Sequence, residues 1–176
     1  MNGGTHLGDC RGVLRSFQVF RFLDQTLHQV VQPELEYREN PSLLSGDVVV
    51  SATFSLKVSE PTTVKQKIDE ITARRKATQP LEFPSCGSVF KNPEGTPLKA
   101  WEVVDQCGLR GKRIGGAMIS DKHPNWILNV ERAKAQDVRE LILLCKKTAL
   151  SKLGIKIQEE VRAVSFQGEL RRISIS

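Results

Sequence analysis

Paired cysteines, long apolar runs and tyrosines are all scarce in this chain of 176 residues. The absence of a Cys-x-x-Cys pair argues against a disulfide framework or a metal site and favours reduced thiols in a cytoplasmic setting. No apolar run approaches the roughly 20 residues of a membrane-spanning helix, and the N-terminus lacks the basic region and apolar core of a secretory signal. The composition therefore predicts a globular protein with one domain or two small ones. The four cysteines are Cys10, Cys86, Cys107 and Cys145.

The positive charge does not follow a pattern typical of nucleic-acid binding. The formal net charge is +6, but the basic residues are spread along the chain, and Arg74–Lys76 is the tightest group. One tyrosine and scattered phenylalanines provide no aromatic platform on which bases could stack. A small phosphorylated ligand accounts for the charge equally well, so a nucleic acid ranks last among the expected partners.

The first part of the chain is typical of β-structure. Two short apolar segments separated by Asp24-Gln25 predict a hairpin, and a later β-branched run predicts a strand. In chain order, the expected elements are a glycine-rich loop at Met1–Gly12, strands at Ser16–Leu23 and Thr26–Val31, a loop at Pro33–Leu44 and the strongest strand signal at Asp47–Val58.

A helix is predicted from Ser59-Glu60-Pro61 to about Thr78, and the sequence after it contains both helix and strand signals. Because strands dominate before it, we place a domain boundary at its end. The elements expected beyond it are a short helix around Leu98–Cys107 closed by Gly108, strands at Arg113–Ile119 and Asn125–Val130, a helix over Val138–Ala149 with Asp137 and Glu140 at capping-box spacing and Gly154 after its last turn, a final strand at Ile155–Ser165, and a tail at Gln167–Ser176. This order predicts an α+β fold, not a doubly wound sheet.

The stretch Pro84–Gly95 combines prolines, glycines and polar side chains between two helical patterns. Gly87 permits close approach of a ligand beside Ser88, while Lys91 and Asn92 supply a charged donor and an amide. These residues are typical of a loop that binds a polar, anionic ligand, and an ordinary surface turn is the alternative.

Three positions stand out as chemically competent without defining a reaction. They are Ser88, Arg38 beside Tyr37, and Glu160 in the last predicted strand. No GxSxG motif is present and no triad can be assembled from spacing. A structural serine, an exposed loop arginine and a solvated glutamate remain the simpler interpretations, so the residues alone predict a ligand-binding α+β protein.

Four ordered stretches resemble the C-terminal half of UDP-N-acetylenolpyruvoylglucosamine reductase, a flavoenzyme of bacterial peptidoglycan precursor synthesis. They are Gln79–Pro93, Gly108–Gly111, Arg113–Ala117 and Glu160–Arg162. Upstream, Met1–His6, Tyr37-Arg38 and Leu43–Leu56 also match, so the resemblance covers the chain except its tail. Several motifs in one order at matching separations make this resemblance specific.

The resemblance implies catalytic roles for three residues. In the family, FAD takes a hydride from NADPH and passes it to UDP-N-acetylglucosamine enolpyruvate, after which the neighbouring carbon receives a proton. The family's proton donor is the hydroxyl of its GSxFKNP motif, which corresponds to Ser88. Its arginine, suited to hold the substrate carboxylate, corresponds to Arg38, and the glutamate that stabilises the enol-like intermediate corresponds to Glu160.

The resemblance also implies binding residues and a division of the chain. Asn92, Lys91 and His123 correspond to substrate-contacting positions, and Asn2, Gly3, Gly4 and Thr5 resemble the end of the flavin-binding segment. Residues 1–60 are then expected to be the C-terminal part of the FAD-binding domain, 61–79 a connecting helix, 80–166 the substrate-binding domain and 167–176 a tail.

Most of the family's flavin-binding domain lies upstream of the region that this chain resembles. The trailing strands of that domain are therefore expected to expose unpaired edges and an apolar face, which favours association. Two hypotheses follow: the chain is part of a working reductase, or it is a fragment that binds UDP-sugar or a partner but not FAD.

Overall fold

The computed structural model describes residues 4–5, 8–36, 39–164, 170–171 and 173. Contacts between backbones divide the chain into two compact units, residues 1–64 and 65–176. Helices and antiparallel sheets occur together, so the predicted α+β class is confirmed. No helix within the described part of the chain is both long and apolar enough to cross a membrane.

The first unit is built on a three-stranded antiparallel sheet. Strand β3 lies in the middle and pairs with β4 on one side and β5 on the other. The predicted hairpin is confirmed: Gln25 adopts a positive φ of 56°, and the Asp24 carboxylate accepts a hydrogen bond from Thr26 N at 3.1 Å. The strands are β1 (Gly4–Thr5), β2 (Gly8–Asp9), β3 (Leu14–Arg21), β4 (Thr26–Val31) and β5 (Val48–Phe54), with a 3-10 turn at Cys10–Gly12.

Little of this sheet is covered. Phe17 and Val19 in β3 are buried, whereas every residue of β5 is exposed. Sheets normally have at least one face packed on a core, whereas β5 exposes its apolar side chains and, among the described residues, has a neighbouring strand on one side.

Helix α1 (Pro61–Thr78) begins and ends where the sequence predicts. None of its residues is buried, and the boundary between the two compact units falls within its first turns. The domain limits expected at 60/61, 79/80 and 166/167 stay predictions.

The second unit contains a closed core between a four-stranded antiparallel sheet and two helices. The sheet order is β6-β9-β8-β7, α3 lies against β7 and β8, and α2 packs against α3. The elements are β6 (Ser85–Ser88), α2 (Ala100–Gln106), β7 (Arg113–Ile114), β8 (Ala117–Ile119), β9 (Trp126–Asn129), α3 (Ala135–Leu153), β10 (Ala163–Val164) and β11 (Leu170–Arg171). Its fully buried side chains include Val89, Val103, Val104, Ile119, Leu141 and Ile142.

The single strand expected at Arg113–Ile119 is instead a hairpin. Gly115 adopts a φ of +52°, and a Cβ built on Gly116 would lie 2.0 Å from the carbonyl oxygen of Glu131. The glycine pair therefore forms the turn between β7 and β8, because no larger residue fits beside that carbonyl.

The start of α3 differs from the predicted capping pair, whereas its end does not. The carboxylate of Asp137 accepts hydrogen bonds from Lys134 N at 2.9 Å and from Gly116 N at 3.1 Å. Glu140 accepts a hydrogen bond from Gln136 Nε2 instead, so the Asp137–Glu140 pairing was wrong. Gly154 closes the helix at φ 67°, as predicted.

The final strand predicted at Ile155–Ser165 is largely absent from the described residues. Only β10 is regular strand there, and Glu159 forms an isolated bridge with Phe90. Alternating side chains suggested a strand, but the segment has an antiparallel neighbour over only a few residues. Ile173, in the stretch expected to be a tail, packs into the core at 6% exposure.

Candidate functional site

The backbone of Val89-Phe90-Lys91 forms the centre of the candidate site, and Asn125 holds it from one side. The Asn125 carbonyl accepts a hydrogen bond from Val89 N at 2.8 Å. Its side-chain amide bonds both backbone groups of Phe90: Oδ1 accepts from Phe90 N at 2.9 Å, and Nδ2 donates to Phe90 O at 3.0 Å. Asn125 is 6% exposed, so this amide replaces water for a buried stretch of backbone.

The segment Gln158–Glu160 holds the same backbone from the other side. Lys91 N donates to Gln158 O at 2.9 Å, and Glu160 N donates to Val89 O at 2.7 Å. The segment after Ser88 thus behaves as a central strand, although it lies beyond the end of β6. Glu160 is consequently bonded, through its backbone, to the residue that follows Ser88.

Ser88 lies at the exposed end of β6, where it pairs with Trp126 of β9. Gly87, directly before it, has a φ of +78° and open space around the position of a Cβ. Gly87 lies within β6, where the pairing with β9 shifts register between Ser85 and Ser88, so this left-handed conformation forms an irregularity of the strand directly before the exposed Ser88.

Asn92 connects the site to the start of α2. Its Oδ1 accepts a hydrogen bond from Ala100 N at 3.1 Å, which satisfies one of the free N–H groups of the first helical turn. The amide nitrogen lies on the same exposed residue, so one end of this side chain is used for structure and the other is suited to donate to a ligand.

His123 lies between two indole rings. Its ring centroid is 6.4 Å from that of Trp101 and 6.2 Å from that of Trp126. Nδ1 is buried and has no hydrogen-bond partner among the residues that the structure describes. Burial lowers the pKa of His123, and the nearby positive charge of Arg110 lowers it further. The imidazole is therefore neutral at pH 7, and it is suited to form a hydrogen bond but not to pair with an anion as a cation.

The loop that carries His123 is fixed by its own hydrogen bonds. Ser120 is buried, and its Oγ accepts from Lys122 N and His123 N, both at 3.1 Å. His123 O in turn accepts from Trp126 N at 3.0 Å. Because Asn125 lies two residues after His123, the clamp on Phe90 and the placement of His123 belong to one rigid turn.

The structure brings together five of the predicted site residues. Arg38, Asn2 and Gly3 lie outside the described residues, and Gly4 and Thr5 form β1 in the first unit. The residues that share the Val89–Lys91 backbone and its two neighbouring segments are Ser88, Lys91, Asn92, His123 and Glu160.

Sequence reasoning missed Asn125 and Glu159. Asn125 was interpreted as the first residue of a strand, and no local signal indicates that its amide bonds backbone 35 residues away. Glu159 stands beside Glu160 in the segment that bridges Phe90. No local signal distinguishes the two glutamates, and the Glu159 side chain is only 7% exposed.

Comparison with known proteins finds one enzyme family. Residues 79–164 match the model of the C-terminal domain of UDP-N-acetylenolpyruvoylglucosamine reductase. The enzymes of that name from Limosilactobacillus fermentum and Lactobacillus johnsonii are 36% identical over 169 residues and 40% identical over 166 residues. These alignments cover 95% and 93% of this chain, and 55% and 54% of the relatives. The chain thus spans about half the length of the curated relatives it matches.

A solved structure agrees with this similarity. The crystal structure of the reductase from Thermus caldophilus superimposes with a TM-score of 0.72 at 31% identity, covering 89% of this chain and 56% of that one. The matched family domain contains Asn125, Gln158 and Glu160, which hold the backbone of Val89–Lys91 by hydrogen bonds.

Proposed function

We propose that this chain, whose residues 79–164 carry the C-terminal domain of the UDP-N-acetylenolpyruvoylglucosamine reductase family, forms the substrate-binding half of such a reductase. The reaction proposed is the NADPH-dependent reduction of UDP-N-acetylglucosamine enolpyruvate to UDP-N-acetylmuramate, a step of peptidoglycan precursor synthesis, in the cytoplasm. The observation that carries the proposal is the hydrogen bond from Glu160 N to Val89 O at 2.7 Å. This bond joins Glu160 to the residue that follows Ser88, so it brings together the backbones of the two residues with proposed roles at the reacting carbon.

Ser88 is the proposed proton donor. Once hydride has reached the enolpyruvyl group, the carbon beside the carboxylate carries negative charge and is a strong base. A hydroxyl is a weak acid in water, but a positioned hydroxyl suffices for so basic a carbon. The rigid end of β6 supports this role, because proton transfer requires heavy atoms within hydrogen-bond reach.

Glu160 and Arg38 are proposed to act on the charge that develops at the substrate. Glu160 stabilises the enol-like intermediate, and Arg38 holds the carboxylate by a two-pronged contact that strengthens as charge grows. The proposal for Arg38 rests on the resemblance alone.

Asn92, Lys91 and His123 are the proposed substrate contacts. The exposed amide of Asn92 and the ammonium group of Lys91 are suited to the polar sugar and the diphosphate. A neutral His123 donates or accepts one hydrogen bond beside the rings of Trp101 and Trp126.

FAD is proposed as the cofactor because of the family resemblance, which includes the end of the flavin-binding segment at Asn2–Thr5. Bound FAD supplies the hydride that it takes from NADPH. Gly4 and Thr5 pair with Asp9 and Gly8, and a Cβ built on Gly8 meets no atom within 4 Å. The proposed roles above belong only to residues of this chain.

The uncovered β5 supports an association through exposed strand edges. Val48, Val49, Val50 and Phe54 are 47% to 58% exposed, and within the described ranges β5 pairs with β3 alone. We therefore propose that a further polypeptide segment adds to this edge and covers the face, as the additional length of the relatives suggests.

The proposal is tested by flavin binding and NADPH oxidation. The chain is purified alone and after co-expression with the part of the Lactobacillus johnsonii reductase that it does not match. We expect absorbance near the flavin band, about 450 nm, and substrate-dependent NADPH oxidation in the co-expressed sample. Ser88→Ala is expected to lower kcat by about 10²- to 10⁴-fold, whereas Ser85→Ala, in the same strand, is the matched control.

The alternative is a fragment that binds UDP-sugar or a partner without FAD. The exposed β5 favours this alternative for the chain alone, because its apolar face has no covering surface there. Colourless protein that binds UDP-N-acetylglucosamine but never oxidises NADPH, in either preparation, would support the fragment and contradict the reductase.

A further inference from the structure

We infer that Lys146 and Glu159, which carry no proposed contact with substrate, position Glu160 through a buried ion pair locked by the backbone of Ile173. The inference rests on the proposed function, since it concerns the residue assigned to the enol-like intermediate. It deepens that function by naming positioning residues behind the reacting side chain.

The geometry joins three parts of the second unit at one point. Lys146 Nζ, on α3, donates to Glu159 Oε2 at 2.7 Å and to Ile173 O at 2.6 Å. Ile173 N donates to Glu159 Oε1 at 2.9 Å. Both carboxylate oxygens of Glu159 are thereby occupied, and both backbone groups of Ile173 are bonded to the pair.

The pair is buried, so its geometry is tightly specified. The side chains of Lys146 and Glu159 are 15% and 7% exposed. Apolar residues could fill the same space without removing two charges from water. A pair of apolar side chains could not bond both backbone groups of Ile173, which supports a role for the charged pair in fixing position.

Glu160 follows Glu159 directly, so whatever holds Glu159 also sets the backbone of Glu160. Glu159 bridges Phe90 in antiparallel fashion, and Glu160 N bonds Val89 O. An anchored Glu159 therefore fixes the backbone of Glu160 at the point where it bonds Val89, the residue after Ser88.

Amide hydrogen exchange on the full chain tests the positioning. Lys146→Met is expected to speed exchange of the Glu160 amide about tenfold or more. In the wild type, local opening of this segment has to break the bonds of Lys146 to Glu159 and Ile173, and in the variant this cost is absent. The Ile119 amide, which donates to Lys112 O elsewhere in the sheet, is expected to change much less. Lys146→Arg keeps the charge and is expected to restore most of the protection.

A double variant separates positioning from stability. Lys146→Met with Glu159→Met replaces both charges by apolar side chains of similar length. Because it removes the unpaired Glu159 charge of the single variant but not the loss of partners at Ile173, it is expected to recover part of the unfolding midpoint that the single variant loses. The Glu160 amide is expected to exchange fast even so. Wild-type protection of Glu160 in both variants, or equal acceleration at Ile119 in both, overturns the inference.

Kinetics then decide whether the positioning serves catalysis. In the co-expressed reductase, Lys146→Met is expected to lower kcat about tenfold or more while KM for the UDP-sugar changes less than about twofold, because Glu160 acts on the developing charge and not on the nucleotide. An unchanged kcat overturns the inference. An inactive wild-type sample contradicts the proposed function instead, and the exchange results still decide whether the pair positions Glu160.

Discussion

The two units of this chain differ in how completely their sheets are covered. In the first, β5 is exposed along its whole length, and Phe17 and Val19 are among its few buried side chains. In the second, the sheet and two helices enclose side chains that are fully buried, Leu141 and Ile142 among them. A sheet needs a covered face to be stable by burial. The difference teaches that burial stabilises the second unit more than the first, whose β5 leaves its apolar side chains exposed.

The comparison is most strongly tested by one substitution made in both units. Leu141→Ala removes a fully buried side chain from the second unit and is expected to lower the free energy of unfolding by about 3 kcal/mol. Leu27→Ala in β4 removes a side chain that is 60% exposed, and the expected loss is below about 0.5 kcal/mol. Urea unfolding followed by circular dichroism measures both, and similar losses would break the comparison.

A second pair of variants compares side-chain amides. Asn125→Ala leaves both backbone groups of Phe90 without their partner, and it is expected to lower the free energy of unfolding by about 2 kcal/mol. Gln18→Ala removes an exposed acceptor that Ser51 Oγ bonds at 3.0 Å in the first unit, and little change is expected. Urea unfolding followed by circular dichroism measures both variants, and tryptophan fluorescence reports the second unit separately, since Trp101 and Trp126 both lie there.

The smallest expected effect is the acid sensitivity of the second unit. Burial raises the pKa of Glu159, but hydrogen bonds from Lys146 and the backbone outweigh it and hold the pKa below its usual value of 4.5. The Glu159 carboxylate is therefore protonated at a lower pH in the folded form than in the unfolded form. Its contribution to the free energy of unfolding is present above pH 4.5 and is lost as the pH falls through the lowered pKa. Glu159→Gln is expected to flatten the fall in stability over this range.

The control for the acid experiment is Glu131→Gln, which removes a carboxylate that is 76% exposed in its pair with Arg113. Exposed pairs contribute little to stability, so this variant is expected to retain the wild-type slope between about pH 5 and 3. If Glu131→Gln flattens the curve as much as Glu159→Gln, the buried pair is not the origin of the acid sensitivity.

Local patterns predicted the elements whose stabilising contacts are local. The β3–β4 hairpin and the limits of α1 follow from turn residues, Pro61 and apolar periodicity, and Gly154 marks the end of α3 through its own backbone conformation. The hairpin at Gly115–Gly116 was missed because its cause is the carbonyl of Glu131, distant in sequence. The strand expected at Ile155–Ser165 failed for a similar reason, since alternation does not reveal whether a neighbouring strand is present.

The sequence predicted candidate site residues but not the groups that hold their backbone in place. Motif spacing and the family resemblance pointed to Ser88, Asn92, His123 and Glu160. The groups that hold them in place act across long separations in sequence: Asn125 on Phe90, and Lys146 with Ile173 on Glu159. Such contacts depend on the packed fold, and neither propensity nor periodicity reports them.

The central proposal is that the second unit binds the enolpyruvyl UDP-sugar beside Ser88 and Glu160, where Glu160 N bonds the carbonyl of Val89. Titration of the isotope-labelled chain with UDP-N-acetylglucosamine enolpyruvate, followed by amide chemical shifts, tests it most directly. The account predicts the largest shifts at Ser88, Lys91, Asn92, His123 and Glu160, and little change at the amides of β3 to β5. Shifts confined to residues 1–64, or none at concentrations where a reductase would be saturated, would contradict it.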